Sequence, residues 1–169
     1  DCIYVVGGLT PSVEKYDTKA QKWTNLANLL YDSLEKPMLY VYNNFLYCFF
    51  GQKNGKYVDF IIRLNLKNSM SKWEIVPYKN PSKIDIKVMG CSIVPQSEST
   101  ILIVGGRGND GVRSNGFVFD FKSNTIIDNG FRLEKEGYFN ESVLIDIGDS
   151  RYGHFNTNTE DHFLILVNN

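Results

Sequence analysis

The chain lacks any run of about 20 apolar residues, the length a helix needs to cross a bilayer. Its first residues are strand-like and show none of the basic, apolar pattern of a targeting segment. It also lacks a charge excess: 18 Lys and Arg against 19 Asp and Glu leave a net charge of −1. No field of one sign is therefore available to draw nucleic acid or an anionic membrane surface. Cysteine is scarce, with Cys2, Cys48 and Cys91 widely spaced and odd in number. That count excludes a disulfide scaffold and points to free thiols, the latter two inside apolar runs, in a reducing, cytoplasmic setting. His154 and His162 are the only histidines, and neither has cysteine, histidine or carboxylate neighbours at ligand spacing, so no metal or cofactor is expected. No long segment has a 3.6-residue amphipathic period, which leaves helix nearly absent.

What the chain has is a repeat. A short apolar run ending in glycine recurs as IYVVGG (3–8), LYCFFG (46–51), ILIVGG (101–106) and RYG (151–153). The glycines Gly7, Gly51, Gly105 and Gly153 lie 44, 54 and 48 residues apart, a period suited to a four-strand unit that buries its faces only between neighbours. The second unit, over 37–78, reads as four antiparallel strands: PMLYVY, an Asn43-Asn44 turn, FLYCFFG, a turn at 53–56, YVDFIIRLNL and KWEIVPY. Asn and Gly tolerate the positive φ that tight hairpins need. The third unit, over 89–131, has the same order in GCSIVP, TILIVGG, GFVFDF and TIIDNGF, with a glycine-rich loop at 106–115. The first unit, over 1–30, opens at its second strand, so its missing strand is expected outside the sequence. The last stretch, 138–169, has two readings. One takes 142–148, 151–157 and 162–167 as three strands of an incomplete fourth unit; the other takes 163–169 as a first strand and its turn, because FLILVNN resembles MLYVYNN (38–44).

With Gly7 and Gly8 followed by Tyr16 and Trp23, the chain resembles the kelch repeat. Gly105 and Gly106 repeat the diglycine, and an ungapped alignment sets Phe119 on Tyr16 and Ile126 on Trp23. The second unit departs: Gly51 precedes Gln52, Leu64 holds the tyrosine position, and Trp73 comes two residues late. The resemblance covers residues 1–130 and implies an all-β fold, a kelch-type β-propeller segment of about three to three and a half four-stranded antiparallel blades spanning 1–169. Strand edges left open would then be completed by remaining blades from the same or another chain. The motif residues Gly7, Gly8, Tyr16, Trp23, Gly51, Trp73, Gly105, Gly106 and Phe119 are expected to specify architecture rather than chemistry.

In an up-and-down meander the loops after the second and fourth strands emerge on one face, where kelch proteins typically bind. Here these loops are 52–56, 107–115, 31–36 and 78–87. Gln52, Lys53, Lys56, Arg107, Asn109, Asp110 and Arg113 are the expected contact residues, and 106–115 the preferred loop. That loop runs into the strand-like GFVFDF, not a helix, so it does not suit phosphate. No Ser, His and Asp set forms a nucleophile motif, and no catalytic residue is expected. The resemblance thus implies a non-catalytic protein-binding scaffold or adaptor within a larger assembly, with cytoskeletal or ubiquitin-ligase components among its partner classes. The alternative is a galactose-oxidase-like or other propeller enzyme whose active site is completed by chain not present here.

Overall fold

Apolar runs of five residues bounded by Asn and Gly turns fold here as short antiparallel strands. The structure, a computed structural model, describes residues 2–134 and, beyond them, the backbone of residues 140–143, 153–156 and 165–167. The chain divides into two units, Asp1–Val76 with Asp161–Asn169, and Pro77–Glu160. The first contains β1 (Cys2–Val6), β2 (Val13–Asp17), β3 (Lys22–Asn25), β4 (Met38–Tyr42) and β5 (Phe45–Phe49). It continues with β6 (Gln52–Lys53), β7 (Lys56–Tyr57), β8 (Ile61–Asn65) and β9 (Glu74–Ile75). The second contains β10 (Val88–Met89), β11 (Ser92–Ser97), β12 (Thr100–Val104), β13 (Arg107–Gly108) and β14 (Gly111–Val112). It also holds β15 (Gly116–Asp120), β16 (Thr125–Ile127), β17 (Asn140–Val143) and β18 (Gly153–Asn156). Finally β19 (Ile165–Val167) rejoins the first unit. No helix occurs among the described residues.

The three large sheets share one plan, with strand orders β19-β1-β2-β3, β4-β5-β8-β9 and β11-β12-β15-β16. All pairs in them are antiparallel. This is the all-β class the repeat implies, with four-stranded sheets like the blades of a kelch-type propeller. The turns have the chemistry the sequence suggests: Asn43 and Asn44 (φ 48 and 62°) and Asn54 and Gly55 (φ 50 and 73°) each take two successive left-handed conformations, the type I′ geometry of tight hairpins. Four of the five residues of β5, and four of the five of β12, are buried. Such inner strands are enclosed on both faces, so they read as continuous apolar runs rather than as alternation. Leu46, Cys48, Ile62, Leu64 and Trp73 share one core with Tyr4, Val13, Leu29 and Leu34.

Two features differ from the sequence reading. The strand that the first sheet lacks at its start is not outside the sequence: β19 pairs with β1 through Cys2↔Val167, Ile3↔Leu166 and Tyr4↔Ile165. The open edge of β1 thereby gains a ladder partner, as β4 provides for β5. Residues 165–167 therefore join the first sheet rather than a fourth blade; among the described residues β17 and β18 pair with each other, as a two-stranded sheet. The second difference concerns the diglycine. Gly7 N donates to Ser12 O, Phe50 N to Phe60 O and Gly105 N to Asn115 O, at 3.0, 3.1 and 3.0 Å, three equivalent bonds. Phe50 thus occupies the first-glycine position, in a left-handed conformation (φ 52°), and Gly51 matches the second glycine, not the first. A phenylalanine tolerates the strained angle because its ring is fully enclosed, edge-on to Phe49.

Candidate functional site: the hairpins after the second strands

The registers align the motif residues of the three sheets. Ile3↔Tyr16, Leu46↔Leu64 and Ile101↔Phe119 are equivalent pairs, and Tyr16↔Trp23 and Phe119↔Ile126 continue the ladder. Trp73, one residue before Glu74, comes next after Arg63↔Glu74 and so falls beside Leu64. The two-residue delay in its sequence position is taken up by the longer turn between β8 and β9. Trp73 is buried, and its indole Nε1 donates to Ala27 O at 2.8 Å. Tyr16 lies 5.0 Å from Trp23, ring to ring. Trp73 thereby ties the second sheet to the connection after β3, whereas Trp23 is 50% exposed.

Beyond the diglycine position each of the last two large sheets carries a small hairpin, β6–β7 in the first unit and β13–β14 in the second. The first hairpin is anchored by Glu35, which exchanges backbone hydrogen bonds with Gln52 at 2.8 and 2.9 Å. Gln52 Nε2 also donates to Gly55 O at 3.2 Å, closing the turn. Lys53 Nζ lies 4.3 Å from the centroid of the Tyr31 ring, and Tyr31 stacks on Phe60 at 4.6 Å. A cation over an aromatic face is favourable by about 0.5–1 kcal/mol where exposed. The result is a small aromatic and basic cluster of Tyr31, Lys53 and Phe60, with Lys56 exposed at the tip. Sequence reading selected Lys53 and Lys56 and missed Phe60, which stands inside an apolar run and gives no sign that it leaves the strand.

The second hairpin is built around Arg113. Expected as a contact, Arg113 is instead enclosed, with its side chain 7% exposed. Its guanidinium donates to Asp85 O, to Asp85 Oδ2 at 2.7 Å, and through Nε and Nη2 to Asp110 Oδ1 at 3.0 and 2.8 Å. Gly108 makes this possible: a Cβ there would stand 2.5 Å from Nη2. A buried charge is tolerable only when paired and hydrogen-bonded, and here two carboxylates and a carbonyl supply both. Partial burial pushes the Asp85 carboxyl up, but the Lys87 backbone amide and the Arg113 guanidinium outweigh it and hold the group below the ordinary carboxylate range. Arg113 therefore shapes the loop, while Arg107, Asn109 and Asp110 are the exposed side chains it presents. The two hairpins lie in different units, each fixed by its own anchor.

Among the described residues no three His, Cys, Asp or Glu side chains gather as a metal site. A small cavity lined by Leu26, Ala27, Leu64, Leu66 and Ser71 measures about 30 Å³, room for about one water. His154 is on β18, and His162 lies outside the described residues. Among those residues no helix is long and apolar enough to cross a membrane.

Residues 1–30 match the family model of the Kelch motif. These residues comprise the diglycine, Tyr16 and Trp23, with β1, β2 and β3. Over those residues the chain is similar to a kelch repeat, and kelch-repeat proteins are commonly protein-interaction modules and mostly not enzymes. No curated protein matches the chain.

Proposed function

We propose that the chain is a non-catalytic scaffold that binds a protein partner through the hairpins following the second strands of its blades. The observation that carries this reading is the anchoring of both hairpins. Each tip is exposed, yet each base is held by named bonds, Glu35 to Gln52 in one and Arg113 to Asp85 and Asp110 in the other. A loop already ordered before binding loses little conformational entropy on binding, the usual basis of a preorganised recognition surface. Gln52, Lys53, Lys56, Arg107, Asn109 and Asp110 are the proposed contacts, and a cytoskeletal or ubiquitin-ligase component within a larger assembly is the proposed partner class. A cytoplasmic, reducing setting is part of the same proposal, supported by the free thiols of Cys2, Cys48 and Cys91.

The test compares affinity capture by the wild-type chain with capture by two variants that keep the fold. One carries Lys53→Ala, Lys56→Ala, Arg107→Ala and Asn109→Ala at the hairpins. The other carries Asn44→Gly, Glu98→Ala and Lys122→Ala in turns at the opposite ends of the strands. A partner lost with the first variant and kept by the second supports the reading. A partner lost only with the second overturns it.

A further inference from the structure

The chain holds three Asn-Gly pairs: Asn54-Gly55, Asn115-Gly116 and Asn129-Gly130. In such a pair the glycine amide nitrogen can attack the asparagine side-chain amide, because glycine has no Cβ to block the approach. The attacking species is the deprotonated amide, so the reaction needs a glycine N–H that is not bound elsewhere, and nearby positive charge favours it. The three pairs share this chemistry and differ in what the fold does with their atoms.

Gly116 lies buried on β15, and its N–H donates to Phe131 O at 3.1 Å while Asn115 O accepts from Gly105 N at 3.0 Å. Ring closure there requires a four-stranded sheet to open. Gly130 is exposed, but its N–H donates to Asp128 Oδ1 at 2.9 Å, and Asn129 Oδ1 accepts from Phe131 N at 3.1 Å. A carboxylate on the attacking amide opposes its deprotonation. Asn54 and Gly55, by contrast, form the exposed tip of β6–β7. Among the described residues neither the Asn54 side chain nor the Gly55 N–H has a hydrogen-bond partner. Both residues flanking the pair are cations, Lys53 and Lys56. Only Gln52↔Tyr57 and Lys53↔Lys56 hold this hairpin, so its turn opens without disturbing the four-stranded sheet.

We propose that Asn54 is a site of spontaneous deamidation in the folded chain, and that the change loosens the β6–β7 hairpin. Gly55 N bonds to Asn54 Cγ, the Cγ–Nδ2 bond breaks, and ammonia leaves with the proton that Gly55 N gives up. Water then cleaves one of the two C–N bonds of the resulting five-membered imide. Cleavage at Cγ gives aspartate, and cleavage at the main-chain carbonyl carbon gives isoaspartate. Either product sets a carboxylate between Lys53 and Lys56. Isoaspartate also adds one carbon to the main chain, which a two-residue turn with two successive left-handed residues does not accommodate. The site falls among the proposed partner contacts but does not depend on them.

The experiment holds the full chain at mildly alkaline pH, native and in guanidinium chloride, and follows the three pairs by mass spectrometry of chymotryptic peptides, with isoaspartate resolved by elution. In the native chain Asn54 is expected to convert at least about tenfold faster than Asn115 and Asn129, the factor that about one hydrogen bond on the attacking amide is worth. In guanidinium chloride the three rates converge. Amide hydrogen exchange then compares each chain before and after ageing. Residues 52–57 exchange faster in the aged wild type, whereas Asn54→Gly, whose Gly-Gly pair suits the same turn, is unchanged by ageing. Native conversion at Asn54 that is absent, or no faster than at the other two pairs, overturns the proposal. So does a converted chain whose hairpin exchanges as it did before.

Discussion

Gly7 and Gly8 are adjacent, both left-handed (φ 75 and 92°), and yet they are expected to differ sharply when changed to alanine. Gly8 N donates to Leu34 O at 3.1 Å, which draws that carbonyl over Gly7, so a Cβ on Gly7 would meet it at 2.6 Å. A Cβ on Gly8 would meet nothing within 4 Å. Both substitutions cost the left-handed strain of an L-residue, roughly 1–2 kcal/mol, and both gain the same small benefit from a stiffer unfolded chain. Gly7→Ala alone adds a backbone overlap, on the order of 1–3 kcal/mol by comparison with other overpacked sites. Urea denaturation followed by far-UV circular dichroism and by the emission of buried Trp73 measures both. The expected result is that Gly7→Ala lowers the midpoint by more, at unchanged m-value, with a gap of at least about 1 kcal/mol. A Gly8→Ala variant as unstable as Gly7→Ala refutes the reasoning, because strain alone would then account for the diglycine.

Trp73→Phe leaves Ala27 O without its donor and is expected to cost about 1–2 kcal/mol by the same denaturation assay, whereas Trp23→Phe, at an exposed position, costs less than about 0.5 kcal/mol. Because the folded-state pKa of Asp85 lies below its unfolded value, its contribution is present above the ordinary carboxylate range near pH 4 and is lost as the pH falls through the lower folded value. Acid titration monitored by circular dichroism is expected to show that loss, and Arg113→Met to flatten it; an unchanged acid profile in Arg113→Met contradicts the assignment. Burial pushes the Cys91 thiol up to about 12 and raises that of Cys48 as well, while Cys2 is partly exposed. A thiol reagent at pH 8 is expected to label Cys2 first and the other two only in denaturant, and prompt labelling of Cys91 in the native chain would contradict its enclosure.

How far the fold can be read from the residues depends on how local each signal is. The Asn43-Asn44 and Asn54-Gly55 turns and the apolar runs LYCFF and ILIV carry their own conformational reasons, so the four-strand plan of the second and third sheets is legible from spacing and turn chemistry alone. The pairing of β19 with β1 joins residues more than 160 positions apart, and only the likeness of FLILVNN to MLYVYNN hints at it. The position of Phe50 was hidden for a different reason. A bulky residue in a left-handed conformation contradicts the local rule, and only the ladder bond to Phe60 reveals it. At the candidate site the exposed tips were legible, because Asn, Lys and Gly mark turns. The burial of Arg113 was not, since it depends on Asp85, 28 residues away, and on the empty Cβ position of Gly108.

The central claim, that the anchored hairpins bind a protein partner, is tested most directly by amide hydrogen exchange of the full chain with and without its captured protein partner. Slowed exchange at residues 52–57 and 107–112, with little change at 43–44 and 98–99, is the expected result. Slowing confined to 43–44, 98–99 and 122–124, with the hairpins exchanging as in the free chain, contradicts it.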